Sequence, residues 1–290
     1  MTLTTGEPFG ARLRAALERR GPLCVGIDPH PGLLDAWGVG DDVAALERFA
    51  LGVVDALGDR AAVVKPQSAF FERFGSAGVA VLERTVTAAR QAGALVILDV
   101  KRGDIGSTVA AYASAYLDPS SPLACDAITA SPYLGYGSLR PLVDTALAHG
   151  NGVFVLALTS NPEGGAVQRA VGPDGRTVAQ AICDEVAAAN SAETAVGLPM
   201  GSVGVVVGAT LGDTGHDLSR LAGPILAPGL GAQGASPVDL YTVFGGQLDH
   251  VLPSVSRGVL RDGPSLSGLR AAFERSLTEV RAVLEVPAGR

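Results

Sequence analysis

Eight short apolar runs recur along the chain, and their character limits the fold more than any other feature. They are 23–27 (LCVGI), 61–64 (AAVV), 94–100 (ALVILDV), 125–130 (CDAITA), 152–158 (GVFVLAL), 202–208 (SVGVVVG), 224–227 (PILA) and 250–255 (HVLPSV). Each is nearly continuous rather than alternating, as parallel strands covered on both faces require. Between them the apolar spacing turns helical, over 41–57, 77–91, 107–116, 139–148, 177–193 and 266–284. In the first of these Leu46, Phe49, Val53 and Leu57 share a face, and Gly93 stands where the second should stop. Strands alternating with helices make an α/β chain, either a (β/α)8 barrel or a doubly wound sheet.

The 290 residues exceed one average domain, but α/β barrels reach this length as a single domain. With 47% hydrophobic and 18% charged residues there is material for a large core, and no linker, internal repeat or low-complexity segment divides it. The expectation is one domain over 1–290. A long loop insertion at 161–176 (NPEGGAVQRAVGPDGR) follows the fifth strand, and a loop of that length is commonly a functional lid or a surface excursion.

The net charge of −7 and the lack of a basic block make the chain a poor candidate for nucleic-acid binding. A phosphorylated ligand would have to be held by a few local donors. Cys24, Cys125 and Cys183 form no metal or disulfide pattern and read as reduced thiols of a cytoplasmic protein. The start, MTLTTGEPFGARLRAAL, has no apolar leader core, and no apolar run approaches the ~18 residues needed to span a membrane.

The polar residues gather at strand ends. The first strand ends in Asp28, the second in Lys65, the third in Asp99 and Lys101, the fifth in Thr159 and Ser160, the seventh in Pro228, and the eighth near Ser256 and Arg257. In a barrel these ends converge on one rim, where barrel active sites sit, and phosphate sites commonly form after strands seven and eight. The segment 228–234 (PGLGAQG), with Gln233 and Gly234, is glycine-rich enough for backbone N–H groups to approach an anion, and Arg257 could supply charge. Alone such a segment can be a plain turn; with an Arg after the next strand it points to a small phosphate-bearing substrate.

The segment 98–108 (LDVKRGDIGST) is the sharpest local signal, delivering Asp99, Lys101 and Asp104 within six positions. Asp99 and Lys101 are two apart and share a strand face. Burying a carboxylate is costly unless it is paired, and an Asp–Lys–Asp alternation extended by Lys65 provides pairing that favours a charged lysine. Such a lysine can protonate a carbanion, and an anionic Asp beside a substrate carboxylate favours that group's loss. The plainer alternative makes Asp104 an N-cap for the helix starting near Gly106. Arg102-Gly103-Asp104 also matches an adhesion tripeptide, which does not suit a cytoplasmic enzyme.

These residues resemble the orotidine 5′-monophosphate decarboxylases. The run from Asp99 to Thr108 matches the signature D-x-K-x-x-D-I-x-x-T, and KRGDI resembles the longer bacterial subfamily called type 2. The resemblance extends in order from Asp28 to Arg257 and implies a single (β/α)8 TIM barrel, a homodimer with shared active sites, and conversion of orotidine 5′-monophosphate to UMP and CO2 without metal or organic cofactor. It implies that Asp28 binds a ribose hydroxyl, Lys65 links the ribose to the Asp network, Asp99 faces the substrate carboxylate and Lys101 protonates C6. It further implies that Asp104, Ile105 and Thr108 reach into the partner's site. Ser160 would read the pyrimidine edge, Pro228 would wall the base pocket, and Gln233, Gly234 and Arg257 would grip the phosphate. The 161–176 insertion, the loop 212–219, and His30, His149, His216 and His250 match no role in the family.

Two rivals differ in class. A Mg2+-dependent sugar-phosphate lyase of the same barrel group would place an acidic metal ligand at an early strand end, where Lys65 would repel a cation. A non-catalytic nucleotide-binding sensor would lack a member of the charged set, and all members are present.

Overall fold

The computed structural model describes residues 6–231 and 234–284. Eight parallel strands close into a barrel in chain order: β1 (Cys24–Ile27), β2 (Val63–Pro66), β3 (Leu95–Arg102), β4 (Ala127–Ala130), β5 (Gly152–Leu158), β6 (Val203–Val207), β7 (Ile225–Pro228) and β8 (Val251–Val255). Closure comes from β1 pairing with β8, Cys24 opposite Ser254 and Val25 opposite Val255, so the fold is the barrel and not the doubly wound sheet. The fifth strand has its expected bounds and the others shift by one or two residues. The shift matters for β2 and β3, which run on through Lys65 and Lys101 and so hold both lysines in the barrel wall.

All six expected helices form, with ends moved by at most two residues. Asp42 caps Val43–Leu57 by accepting from Ala45 N at 2.7 Å, and Thr177 caps Val178–Ala195 by accepting from Gln180 N at 3.1 Å. Gly93 ends Gly75–Gln91 with a φ of 89°, open to glycine and strained for other residues.

Alternation along the strands separates two apolar clusters. Val25, Val64, Val96, Leu98, Ile128 and Val155 pack outward among the helices. Cys24, Val63, Ile97, Phe154, Leu226 and Leu252 pack together inside the barrel. The helix Phe9–Arg20, which no expectation covered, adds buried Phe9 and Leu13 to the inner cluster. Phe9 meets Phe154 edge-on at 6.0 Å, and a Cβ at Gly152 would come within 2.3 Å of the Phe9 ring. The N-terminal end of the barrel is therefore plugged by hydrocarbon, and the inward residues one layer further along each strand face the opposite mouth.

The 161–176 excursion contains a 3-10 turn (Pro162–Gly164), a single helical turn (Gly165–Gln168) and an antiparallel bridge between Val171 and Thr177. Among the described residues no helix is long and apolar enough to cross a membrane. Cys24, Cys125 and Cys183 are free and buried.

Candidate active site

A cavity of about 270 Å3 opens at the C-terminal ends of the strands. Its floor is the inward layer just above the hydrocarbon plug. Lys65 is two residues beyond Val63, Asp99 two beyond Ile97, Thr129 two beyond Ala127 and Ser254 two beyond Leu252, so period two delivers each to the same side as the plug residue before it.

Asp99 is the hub. Its carboxylate is 7% exposed and receives Lys65 Nζ at 2.9 Å on Oδ2, and Lys101 Nζ at 2.5 Å and Thr129 Oγ1 at 2.8 Å on Oδ1. With its amide nitrogen facing Asp99, Gln67 donates to Oδ2 at 2.5 Å and accepts from Lys101 Nζ at 3.3 Å. Burial alone would raise the Asp99 carboxyl, but the charges of Lys65 and Lys101 and their hydrogen bonds outweigh it and hold the group far below the usual carboxylate range. Burial likewise works against the Lys65 ammonium, and the carboxylates of Asp99 and then Asp28 overcome it, keeping its pKa above the usual lysine value. The pair is thus ionised on both sides at neutral pH.

Lys101 sits in strained backbone, with φ of 45°, in a region that residues with a Cβ rarely occupy. The β3–β4 register slips here, Leu98 lying opposite Ile128 but Arg102 opposite Ala130. The resulting bulge turns Lys101 toward the mouth, its side chain 45% exposed. Thr129 steadies the bulge, accepting from Lys101 N at 2.9 Å while donating to the Asp99 oxygen that Lys101 Nζ holds. Backbone strain of this kind, costing about 1–3 kcal/mol, persists where the surroundings over-determine it.

Asp28, Ser160, Pro228 and Arg257 line the same cavity. Asp28 Oδ1 and Ser256 Oγ are buried at its wall without a protein hydrogen bond, so the wall offers a ligand an acceptor and a hydroxyl. Gly26 makes room for them: a Cβ there would lie 2.9 Å from Ser256 Cβ and 3.0 Å from Asp28 Oδ2. After β7 the chain makes a tight loop, Gly231 N bonding to Ala235 O at 2.8 Å, and Gly234 has a φ of 97°. Gly234 does not line the cavity, and Gln233 lies outside the described residues.

Asp104, Ile105 and Thr108 also do not line it. Asp104 is not the helix cap. Its Oδ1 accepts from Ile105 N at 2.8 Å, and Ile105 is the N-cap of Gly106–Leu117, with no side-chain cap. Ile105 is 62% exposed, and Tyr133 and Leu134 in the loop after β4 are exposed as well, at 77% and 53%. Among the described residues no three His, Cys, Asp or Glu side chains are grouped to hold a metal ion.

Gln67 and Thr129 belong to the charged network and were not among the expected site residues. Gln67 could have been found as the next inward position after Lys65; Thr129 is a neutral hydroxyl inside an apolar run and gives no comparable signal.

Comparison with known proteins agrees with this geometry. The profile described as the orotidine 5′-phosphate decarboxylase / HUMPS family matches residues 21–272. An orotidine 5′-phosphate decarboxylase of Salinispora arenicola is 67% identical over 278 residues, covering 96% of this chain and 99% of the relative, and one of Streptomyces coelicolor is 62% identical over 279 residues with the same coverages. A crystal structure from Streptomyces avermitilis, provisionally named orotidine 5′-phosphate decarboxylase, superposes with a TM-score of 0.93 at 62% identity, covering 99% of this chain and 98% of that one. The Leishmania donovani OMP decarboxylase superposes with a TM-score of 0.73 at 29% identity, covering 94% and 98%.

Proposed function

We propose a mechanism from the premise that the chain belongs to the orotidine 5′-phosphate decarboxylase / HUMPS family. It is a carboxy-lyase that converts orotidine 5′-monophosphate to UMP and CO2 in pyrimidine biosynthesis. The observation that carries the mechanism is the buried Asp99 carboxylate held between Lys65 and Lys101 on the cavity floor.

In this reading Asp99 lies against the substrate carboxylate, and the repulsion between two anions is relieved as CO2 departs. The C6–carboxylate bond breaks heterolytically and its electron pair stays on C6. Lys101, its ammonium already placed by Asp99 and Gln67, stabilises that carbanion and delivers a proton to C6, then regains one from solvent. Asp28 takes a ribose hydroxyl, Lys65 joins the ribose to Asp99, Ser160 and Pro228 receive the pyrimidine, and Arg257 with the 229–236 loop, including Gln233 and Gly234, holds the phosphate. Binding at ribose and phosphate supplies transition-state stabilisation remote from C6.

Asp104, Ile105 and Thr108 complete the partner's site in a homodimer. Support comes from their position just after the β3 end, outside their own cavity, and from the exposure of Ile105. Buried free thiols and the acidic surface suit a cytoplasmic enzyme that binds no nucleic acid. The test is the absorbance of orotidine 5′-monophosphate incubated with purified protein in EDTA. Steady loss of the orotate chromophore is expected, and activity that disappears with EDTA would contradict the metal-free route.

A further inference from the structure

The 161–176 excursion packs onto the cavity rim through two side chains, Gln168 and Asn161, both on Thr159. Gln168 Oε1 accepts from Thr159 N at 3.0 Å, and Gln168 Nε2 donates to Thr159 Oγ1 at 2.6 Å. Thr159 Oγ1 in turn donates to Asn161 Oδ1 at 2.6 Å, so the hydroxyl is engaged as both acceptor and donor. Thr159 and Ser160 both line the cavity. A two-point amide grip on backbone and hydroxyl fixes the plane in which the chain leaves β5, and so the direction in which Ser160 enters the cavity.

The grip is anchored from behind. Arg169, the next residue, donates to Thr214 O at 3.1 Å in the loop between β6 and β7. Thr177, where the excursion ends, bonds through Oγ1 to His216 Nε2 at 2.8 Å, and Gln180 exchanges hydrogen bonds with Asp217 N and O at 2.9 and 3.0 Å. The two loops without a role in the family pattern are therefore tied to each other, and Gln168 is the point at which they meet the cavity wall. Gly164 shows how closely this point is packed: a Cβ there would lie 2.9 Å from Thr159 Oγ1 and 3.0 Å from the Gln168 amide.

We propose that Gln168 is a positioning residue for the base-reading edge of the site, and that the excursion serves as a fixed brace for Thr159 and Ser160 rather than a swinging lid. The proposal rests on the assignment of Ser160 to the pyrimidine. Losing the grip should weaken ligands that carry the base and spare those that do not.

Calorimetric titration with UMP and with ribose 5-phosphate separates these. The wild-type chain should bind UMP more tightly than ribose 5-phosphate. Gln168→Leu, nearly isosteric, should weaken UMP about fivefold to tenfold, as expected for one or two lost neutral hydrogen bonds, and leave ribose 5-phosphate within about twofold. Gly164→Ala, whose backbone conformation suits alanine, should shift UMP in the same direction and decides the matter should Gln168→Leu fail to fold. Unchanged UMP affinity in the folded variants, or equal loss for both ligands, overturns the inference. A wild-type chain with no preference for UMP overturns the base assignment beneath it.

Discussion

The charged turn after β3 has two halves with opposite surroundings. In the inner half, Asp99 is buried and held by four neighbouring side chains, and Lys101 leans over the cavity from strained backbone. In the outer half, a few residues on, Asp104 bonds among the described residues only to the adjacent backbone N–H, and Ile105 is 62% exposed. Ten residues, 99–108, thus hold one part that lines the cavity of its own chain and one that does not. The contrast supports the proposal that the outer half serves a neighbouring copy, whose cavity it would complete.

The largest effect should come from the inner half. Lys101→Ala should lower kcat by at least about a thousandfold, because both charge stabilisation and the proton source go. Its melting temperature should stay near wild type, since the side chain is half exposed; a large drop would mean that Lys101 is mainly structural. In the outer half, Asp104→Asn should lower kcat by about a hundredfold with no change in melting temperature. Steady-state rates near wild type for that variant would erase the difference between the halves.

A smaller effect is expected one step behind the inner half. Thr129→Val removes the hydroxyl that holds Lys101 N and Asp99 Oδ1. It should cost about tenfold in kcat and about 1–3 kcal/mol in stability, with Thr129→Ser recovering most of both. A valine variant with unchanged kcat would show that the bulge holds itself.

The smallest concerns pH. The Asp99 carboxyl is held below its ordinary value in the folded chain, so its contribution to stability is complete above about pH 4 and fades as pH falls. The stability difference between wild type and Asp99→Asn should therefore narrow as pH falls below about 4. A difference that stays constant from about pH 5 down to about pH 3 would mean that the carboxylate gains nothing from its lysines.

Much of this was legible in the sequence. Near-continuous apolar runs gave parallel strands between helices, the family resemblance chose the barrel over the doubly wound sheet, and polar residues at the strand ends gave Asp28, Lys65, Asp99 and Lys101, because a strand end fixes both height and face. Legibility failed where position along a strand carries no mark. Thr129 looks like any strand threonine, and its importance arises from a register slip between two strands. The helix Phe9–Arg20 matters because it fills the end of a barrel that its own sequence does not announce. Gln168 lies in a glycine-rich loop whose path depends on a second loop some forty residues further on.

The central claim, that the two halves of the turn serve two sites, is tested most directly by subunit exchange. Lys101→Ala and Asp104→Asn proteins, each nearly inactive, are mixed under conditions that let dimers exchange, and the rate of orotidine 5′-monophosphate consumption is measured. Recovery to about a quarter of the wild-type rate is expected, because half of the dimers are then mixed and each holds one intact site. No recovery, with exchange shown by a mass-tagged subunit, would contradict the claim and return Asp104 to its own chain.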